Sequence, residues 1–193
     1  MSTTRGIYRL VVTSRAMTRR LLRDRKGFAA VEFAMVVPIM LMLYIGSVEV
    51  CEGLSLQQRV TSIARDTADL AAQVTSVTPA DLTDIMRISD SLLGGYDPTR
   101  LKVTLVSILA DAQGDPYVQW SVARDGSIPY AKGAAYTTLE IGLVAPGQGI
   151  IISNVSYTFR PPIAHFIVDE LELGESFSLS PRKSASVVCP TCP

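Results

Sequence analysis

Residues 25–50 read RKGFAAVEFAMVVPIMLMLYIGSVEV, and this stretch decides the architecture. Between Glu32 and Glu49 lie sixteen uncharged residues, Phe33 to Val48, and Phe28 to Val31 extend the run to 21 residues interrupted only by Glu32. As a helix rising 1.5 Å per residue, such a run covers roughly 30 Å, the hydrocarbon thickness of a bilayer. Pro38 lies inside it, removes one backbone hydrogen bond, and is expected to bend or loosen the helix near Ala34 and Met35. A carboxylate in a bilayer costs about 2.5–3.5 kcal/mol near the centre and less at the edge. Glu32, near the start of the run, therefore either snorkels to the interface or pairs with a positive group held at the same depth.

Outward from this segment, the formal net charge of zero over 193 residues hides a split. Residues 1–26 carry eight Arg or Lys and one acid, a net +7, whereas residues 27–193 carry ten basic and seventeen acidic residues, a net −7. The cluster Arg19, Arg20, Arg23, Arg25 and Lys26 stands directly before the apolar run and orients it, with the N-terminus in the cytoplasm. Everything after Glu49 is then on the far side, in a bacterium the periplasm. A secretory signal peptide would show a small-x-small cleavage site, but Gly46-Ser47-Val48 runs straight into Glu49-Val50-Cys51-Glu52. An arginine-rich head in this position orients the helix and attracts anionic lipid; no nucleic-acid partner is expected. With 48% hydrophobic and 19% charged residues, disorder throughout is excluded.

The helix is expected to continue past the bilayer. Leu56, Val60, Ile63, Thr67, Leu70 and Val74 recur at steps of four and three, an apolar stripe flawed at Thr67, with Arg59, Arg65, Asp66 and Asp69 off it. Gly46 and Gly53 permit a break near the outer interface. A second helix is signalled by Thr78 as cap, Pro79 at the first position and Asp81 completing a capping box, and Gly94-Gly95 ends it. From Leu101 the pattern turns to strands. Leu101–Leu109 and Tyr117–Ala123 read as one hairpin, and Thr137–Leu143 with Ile150–Phe159 around Pro146-Gly147-Gln148-Gly149 as another. Phe177–Leu179 and Ala185–Val188 read as short edge strands. Helices followed by antiparallel strands define an α+β head.

Little in the sequence points to catalysis, a metal or a cofactor. There is one histidine, His165, and the three cysteines, Cys51, Cys189 and Cys192, lack zinc-site spacing. Cys189-Pro190-Thr191-Cys192 has the C-x-x-C form, but a redox thiol needs a helix N-terminus to lower its pKa, and here the chain stops one residue later. A small structural disulfide or pairing with another chain is the expectation. Cys51 reads as a small packing residue. Gly147-Gln148-Gly149 lacks the lysine and helix of a phosphate loop, and Asp169-Glu170-Leu171-Glu172 with Glu175 reads as a solvated acidic face without calcium-loop spacing. No small-molecule substrate is indicated.

The string Arg25-Lys26-Gly27-Phe28-Ala29-Ala30-Val31-Glu32-Phe33-Ala34 resembles the N-terminus of the TadE/TadG-like family, pilin-like proteins of tight-adherence (Flp-type) pilus systems. Pro38 in the apolar run, Glu49, and the stretch from Arg59 to Asp69 with Ala64, Ala68, Ala71 and Ala72 extend the resemblance over residues 23–74, and Val155–Pro161 adds a strand and Pro turn. The resemblance implies cleavage by a prepilin peptidase after Gly27, so that Phe28 becomes the N-terminus and Glu32 the fifth residue of the mature chain. The new α-amino group, with a pKa of about 7.7–8.0, is a natural partner for Glu32 of a neighbouring subunit, and such a pair fixes axial register. Met17 opens a second, more compact leader with the same cut. The implied plan is a basic cytoplasmic leader (1–27), a transmembrane helix (28–50), an amphipathic continuation (51–76) and a periplasmic α+β head (77–193). The implied protein is a minor pilin or pseudopilin of the bacterial inner membrane, single-pass and available for incorporation into an extracellular pilus. Its partners would be the peptidase, sibling pilins and the assembly machinery, with no catalytic role of its own. The alternative is an uncleaved, membrane-anchored periplasmic binding or thiol-redox protein.

Overall fold

A computed structural model of the chain describes residues 26–139, 143–163 and 169–192. The chain divides between Val48 and Glu49 into two compact units. A single helix, α1 (Lys26–Ala72), supplies the described part of the first unit and opens the second. It contains Pro38 and runs through Gly46 and Gly53 without the break those glycines allow. Gly53 faces the Phe159 ring, which a Cβ there would meet at 3.6 Å, an ordinary van der Waals distance.

In the second unit α1 presents the expected stripe. Leu56, Val60, Ile63 and Thr67 are fully buried, and the small residues Ala64, Ala68, Ala71 and Ala72 widen the buried face and allow a close approach of the sheet. The stripe ends earlier than its period suggests. α1 stops at Ala72, whose carbonyl accepts the Arg182 N–H, and Val74 lies outside the helix and is exposed. Helix α2 (Pro79–Leu92) has the capping box in full: the Thr78 hydroxyl accepts the Asp81 N–H and the Asp81 carboxylate accepts the Thr78 N–H. Gly94 follows its end with φ +62°, the left-handed conformation that glycine adopts freely.

A short 3₁₀ turn (Pro98–Arg100) leads into β1 (Leu101–Ala110), and β2 (Pro116–Ala123), β3 (Gly149–Phe159) and β4 (Leu171–Leu179) complete an antiparallel sheet of order β2-β1-β3-β4. The first hairpin forms as expected, with a bulge at Gln119 because Ser107 pairs with Trp120 while Ile108 pairs with Val118. On the helix-facing side Leu101, Val103, Leu105, Trp120, Ile151, Val155 and Tyr157 close the main core with α1 and α2. On the opposite face a smaller cluster, including Val106, Ile108, Val118, Ile150 and Ile152, is covered by Tyr136 and Val144.

Three strand expectations are corrected. Residues 137–139 form turns rather than a partner for β3, which pairs with β1 and β4 instead, and 140–142 lie outside the described residues. The segment after Asp169 is not just a solvated acidic face: its period-two alternation, Leu171, Leu173, Glu175, Phe177, Leu179, makes it a nine-residue edge strand, longer than Phe177–Leu179. Ala185–Val188 has only a parallel bridge, Ser76 to Val188, and serves as a tail stitched across the core. Its carbonyls and amides are nonetheless used: Trp120 Nε1 donates to Val187 O at 2.7 Å, Gly149 N to Ala185 O at 2.7 Å and Val77 N to Val188 O at 2.9 Å.

Candidate functional site

The N-terminal motif stands clear of other protein atoms in its own unit. A Cβ at Gly27 would meet nothing within 4 Å, Phe28 is 74% exposed, and Glu32 is exposed. From Gly27 to Val48 the exposed residues fall on every side of α1, including Phe33, Met35, Ile39, Leu41, Leu43 and Tyr44. A helix apolar all round is covered by lipid or by other protein in its working state, because exposed aliphatic surface costs about 25 cal/mol per Å² in water. The helix is long and apolar enough to cross a membrane, and its most apolar 18-residue window has no buried residue. Pro38 sits within this window without ending the helix. Lys26 begins α1, and Arg19, Arg20, Arg23, Arg25 and His165 lie outside the described residues.

The tail cysteines are joined: Cys189 and Cys192 form a disulfide, with Cys189 buried in the core cluster and Cys192 packed against it. Cys51 is an exposed free thiol. Among the described residues Cys189–Cys192 form a turn rather than the first turn of a helix, the place where a dipole lowers the pKa of a redox thiol.

Two residues of α1 have roles the sequence does not announce. Glu49, which in the sequence marks the end of the uncharged run and forms part of the resemblance, is 8% exposed, and its Oε1 accepts the backbone N–H of Ile163 at 2.6 Å. Arg59 falls off the apolar stripe, yet its guanidinium turns toward the end of α2. There Nη1 lies 3.4 Å from Leu92 O, the carbon of the group is 5.8 Å from the Tyr96 ring centroid, and Nε is buried without a partner. A cation suits a helix C-terminus, where unpaired carbonyls carry partial negative charge. A Cβ at Gly94 would collide with that guanidinium, so the glycine after α2 leaves room for it. Elsewhere in the head, burial raises the phenol of Tyr157 above its ordinary range, and its ring meets Tyr96 edge-on at 6.3 Å.

A long apolar N-terminal helix whose second half packs with a small helix on a four-stranded antiparallel sheet is the pilin-like α+β architecture. The family model described as TadE-like protein matches residues 27–69, from the first glycine of the motif almost to the end of α1, and over that stretch the chain is similar to TadE-like proteins. No curated protein and no solved structure matches the chain. The family resembled over that stretch is one of generally structural, pilin-like proteins of the Tad pilus.

Proposed function

We propose that this chain is a minor pilin or pseudopilin-like subunit of a tight-adherence pilus, cut after Gly27 by a prepilin peptidase and working through helix–helix association rather than catalysis. The observation that carries the reading is the coincidence of the TadE-like match, beginning at residue 27, with a helix whose first 22 matched residues, Gly27–Val48, are almost all exposed and mostly apolar. In this reading Arg19, Arg20, Arg23, Arg25 and Lys26 hold the leader on the cytoplasmic face while the peptidase acts at the membrane surface. Removal of the leader takes away the net +7 of residues 1–26 and exposes the amino group of Phe28. Glu32 of a neighbouring subunit then pairs with that amine, so two groups costly in hydrocarbon satisfy one another and set the axial step between helices. The head faces the periplasm, and its disulfide suits that oxidising compartment.

The test is N-terminal sequencing of the C-terminally tagged protein, purified from its host's membranes with and without the resident prepilin peptidase. Phe28 as first residue only in the presence of the peptidase is the expected result. A leader retained in both samples overturns the processing step and leaves a signal-anchored periplasmic domain.

A further inference from the structure

Whatever is bonded to Glu49 is held at the level where the apolar run ends, because Glu49 directly follows Val48. One such group is the backbone amide of Ile163, at 2.6 Å. The turn that carries it is fixed from a second direction, with Phe159 seated beside Gly53 and Pro161 buried. On the same turn Pro162 is exposed and Ile163 is 52% exposed. On the adjoining stripe of α1 Val50 and Leu54 are each 61% exposed. Three aliphatic side chains, one on the turn and two on the turn of α1 that follows Glu49, are thus left uncovered.

We propose that the Phe159–Ile163 turn is a membrane-interface contact, fixed at the outer bilayer surface by Glu49, with Ile163, Val50 and Leu54 lying at the boundary between headgroups and acyl chains. The occupant is lipid because this patch is continuous in sequence with a segment long enough to cross a bilayer. From Glu49 to Leu54 a helix rises about 7.5 Å at 1.5 Å per residue, about the thickness of the headgroup layer on one side of a bilayer. The chemistry of the bond fits the place. An amide without an acceptor and a carboxylate without a donor are each costly near hydrocarbon, and here each satisfies the other. Arg160, half-exposed and 3.7 Å from Asp169, is suited to lipid phosphate. The inference rests on the membrane reading of α1, and needs neither cleavage after Gly27 nor assembly.

The experiment places a nitroxide on a single introduced cysteine in the full chain with Cys51→Ser, reconstituted in nanodiscs of phosphatidylethanolamine and phosphatidylglycerol. Labels at Met42→Cys, Ser178→Cys and Ile163→Cys are compared by collision with oxygen, which enriches in lipid, and with a water-soluble nickel chelate. Met42 is expected to read as acyl, Ser178 as water, and Ile163 between them. Glu49→Ala should move Ile163 to the Ser178 value, while Glu49→Gln, which keeps an acceptor oxygen, should hold it in place. An Ile163 label as aqueous as Ser178 with Glu49 intact overturns the proposal, as does one that Glu49→Ala leaves unmoved. A label shielded from both collision partners also overturns it, in favour of a protein neighbour. A Met42 label in water overturns the membrane reading itself. Should Glu49→Ala unfold the head, seen as a red shift of Trp120 emission, the comparison of Ile163 with Ser178 in the intact protein decides alone.

Discussion

Thr67 Oγ1 lies 2.8 Å from Ser153 Oγ, and both residues are fully buried, so a hydroxyl pair joins α1 to the central strand β3. The flaw in the apolar stripe is thereby explained. Thr67 also lies within hydrogen-bond distance of the carbonyls of Ile63 and Ala64, and every polar atom it brings into the core has a partner. Replacing Thr67 by Val keeps the volume but leaves Ser153 Oγ without this partner in the core. The expected cost is about 1–3 kcal/mol, and Thr67→Val combined with Ser153→Ala should recover part of it, because the orphaned hydroxyl is then gone. Urea unfolding of the detergent-solubilised protein, followed by Trp120 fluorescence, measures both.

The start of α2 gives a dependence on pH. The Thr78 hydroxyl, and after it the Thr78 backbone N–H, hold the Asp81 carboxyl below the usual carboxylate range. A depressed folded pKa contributes stability that is present above the unfolded pKa, about 3.9, and is lost as pH falls through the lower folded value. Asp97 and Asp125 are lowered in the same way by Thr99 and Ser127, so all three act in one direction. Asp81→Asn should be less stable than the parent at neutral pH and converge on it in strong acid. Unfolding midpoints of the two proteins measured in parallel across the acid range check this, and parallel curves with no convergence refute it.

Gly94 and Gly95 both adopt positive φ, +62° and +100°, but their surroundings differ. A Cβ at Gly94 meets the Arg59 guanidinium, whereas one at Gly95 meets nothing within 4 Å. Gly95→Ala should cost only backbone strain, about 1–2 kcal/mol, and Gly94→Ala should cost more because it also drives Arg59 off Leu92 O and Tyr96. The order of the two unfolding midpoints is the readout. Equal midpoints would mean that Arg59 contributes nothing at the end of α2.

The C-terminal disulfide closes a ring of four residues, for which loop-closure entropy gives roughly 2 kcal/mol. Cys189 belongs to the same core cluster as Val187 and Trp120, and Trp120 Nε1 bonds the Val187 carbonyl two residues before it. Cys189→Ser with Cys192→Ser should therefore lower stability by about that amount and shift Trp120 emission to the red as the tail loosens. Treatment of the parent protein with a dithiol reductant should reproduce the shift, and an emission unchanged in both cases would separate the tail from the core.

What could be read in the sequence follows the strength of local signals. The apolar run, the capping box of α2 and the first hairpin are each written in adjacent residues, and the structure repeats them. The longer β4 was also legible, in the alternation from Leu171 to Leu179, but its acidic residues invite a surface reading. Glu49 and Arg59 were not legible because their partners, Ile163 and Leu92, are 114 and 33 positions away, and a charge on a helix says nothing about what folds over it. The tail is the extreme case: Ala185–Val188 has strand composition, yet its backbone bonds are shared among Thr75, Val77, Gly149 and Trp120 rather than one neighbouring strand.

Glu32 provides the sharpest test of the pilin reading. It is exposed near the start of a helix with no basic partner in its own unit among the described residues. If it served the membrane segment alone, removing its charge would be harmless or beneficial, since a carboxylate in the span disfavours insertion by up to about 2.5–3.5 kcal/mol. If it answers the amine of a neighbouring Phe28, its loss should spare insertion and leave steady-state levels unchanged, yet remove co-isolation with sibling pilins and piliation. Glu32→Val is expected to behave in the second way. Glu32→Asp, which keeps the charge on a shorter stem, should retain a fraction of the assembly. N-terminal sequencing of each variant separates the two stages. A Glu32→Val protein that still begins at Phe28 but no longer co-isolates assigns the carboxylate to assembly, one that keeps its leader assigns it to peptidase recognition, and normal piliation removes Glu32 from both.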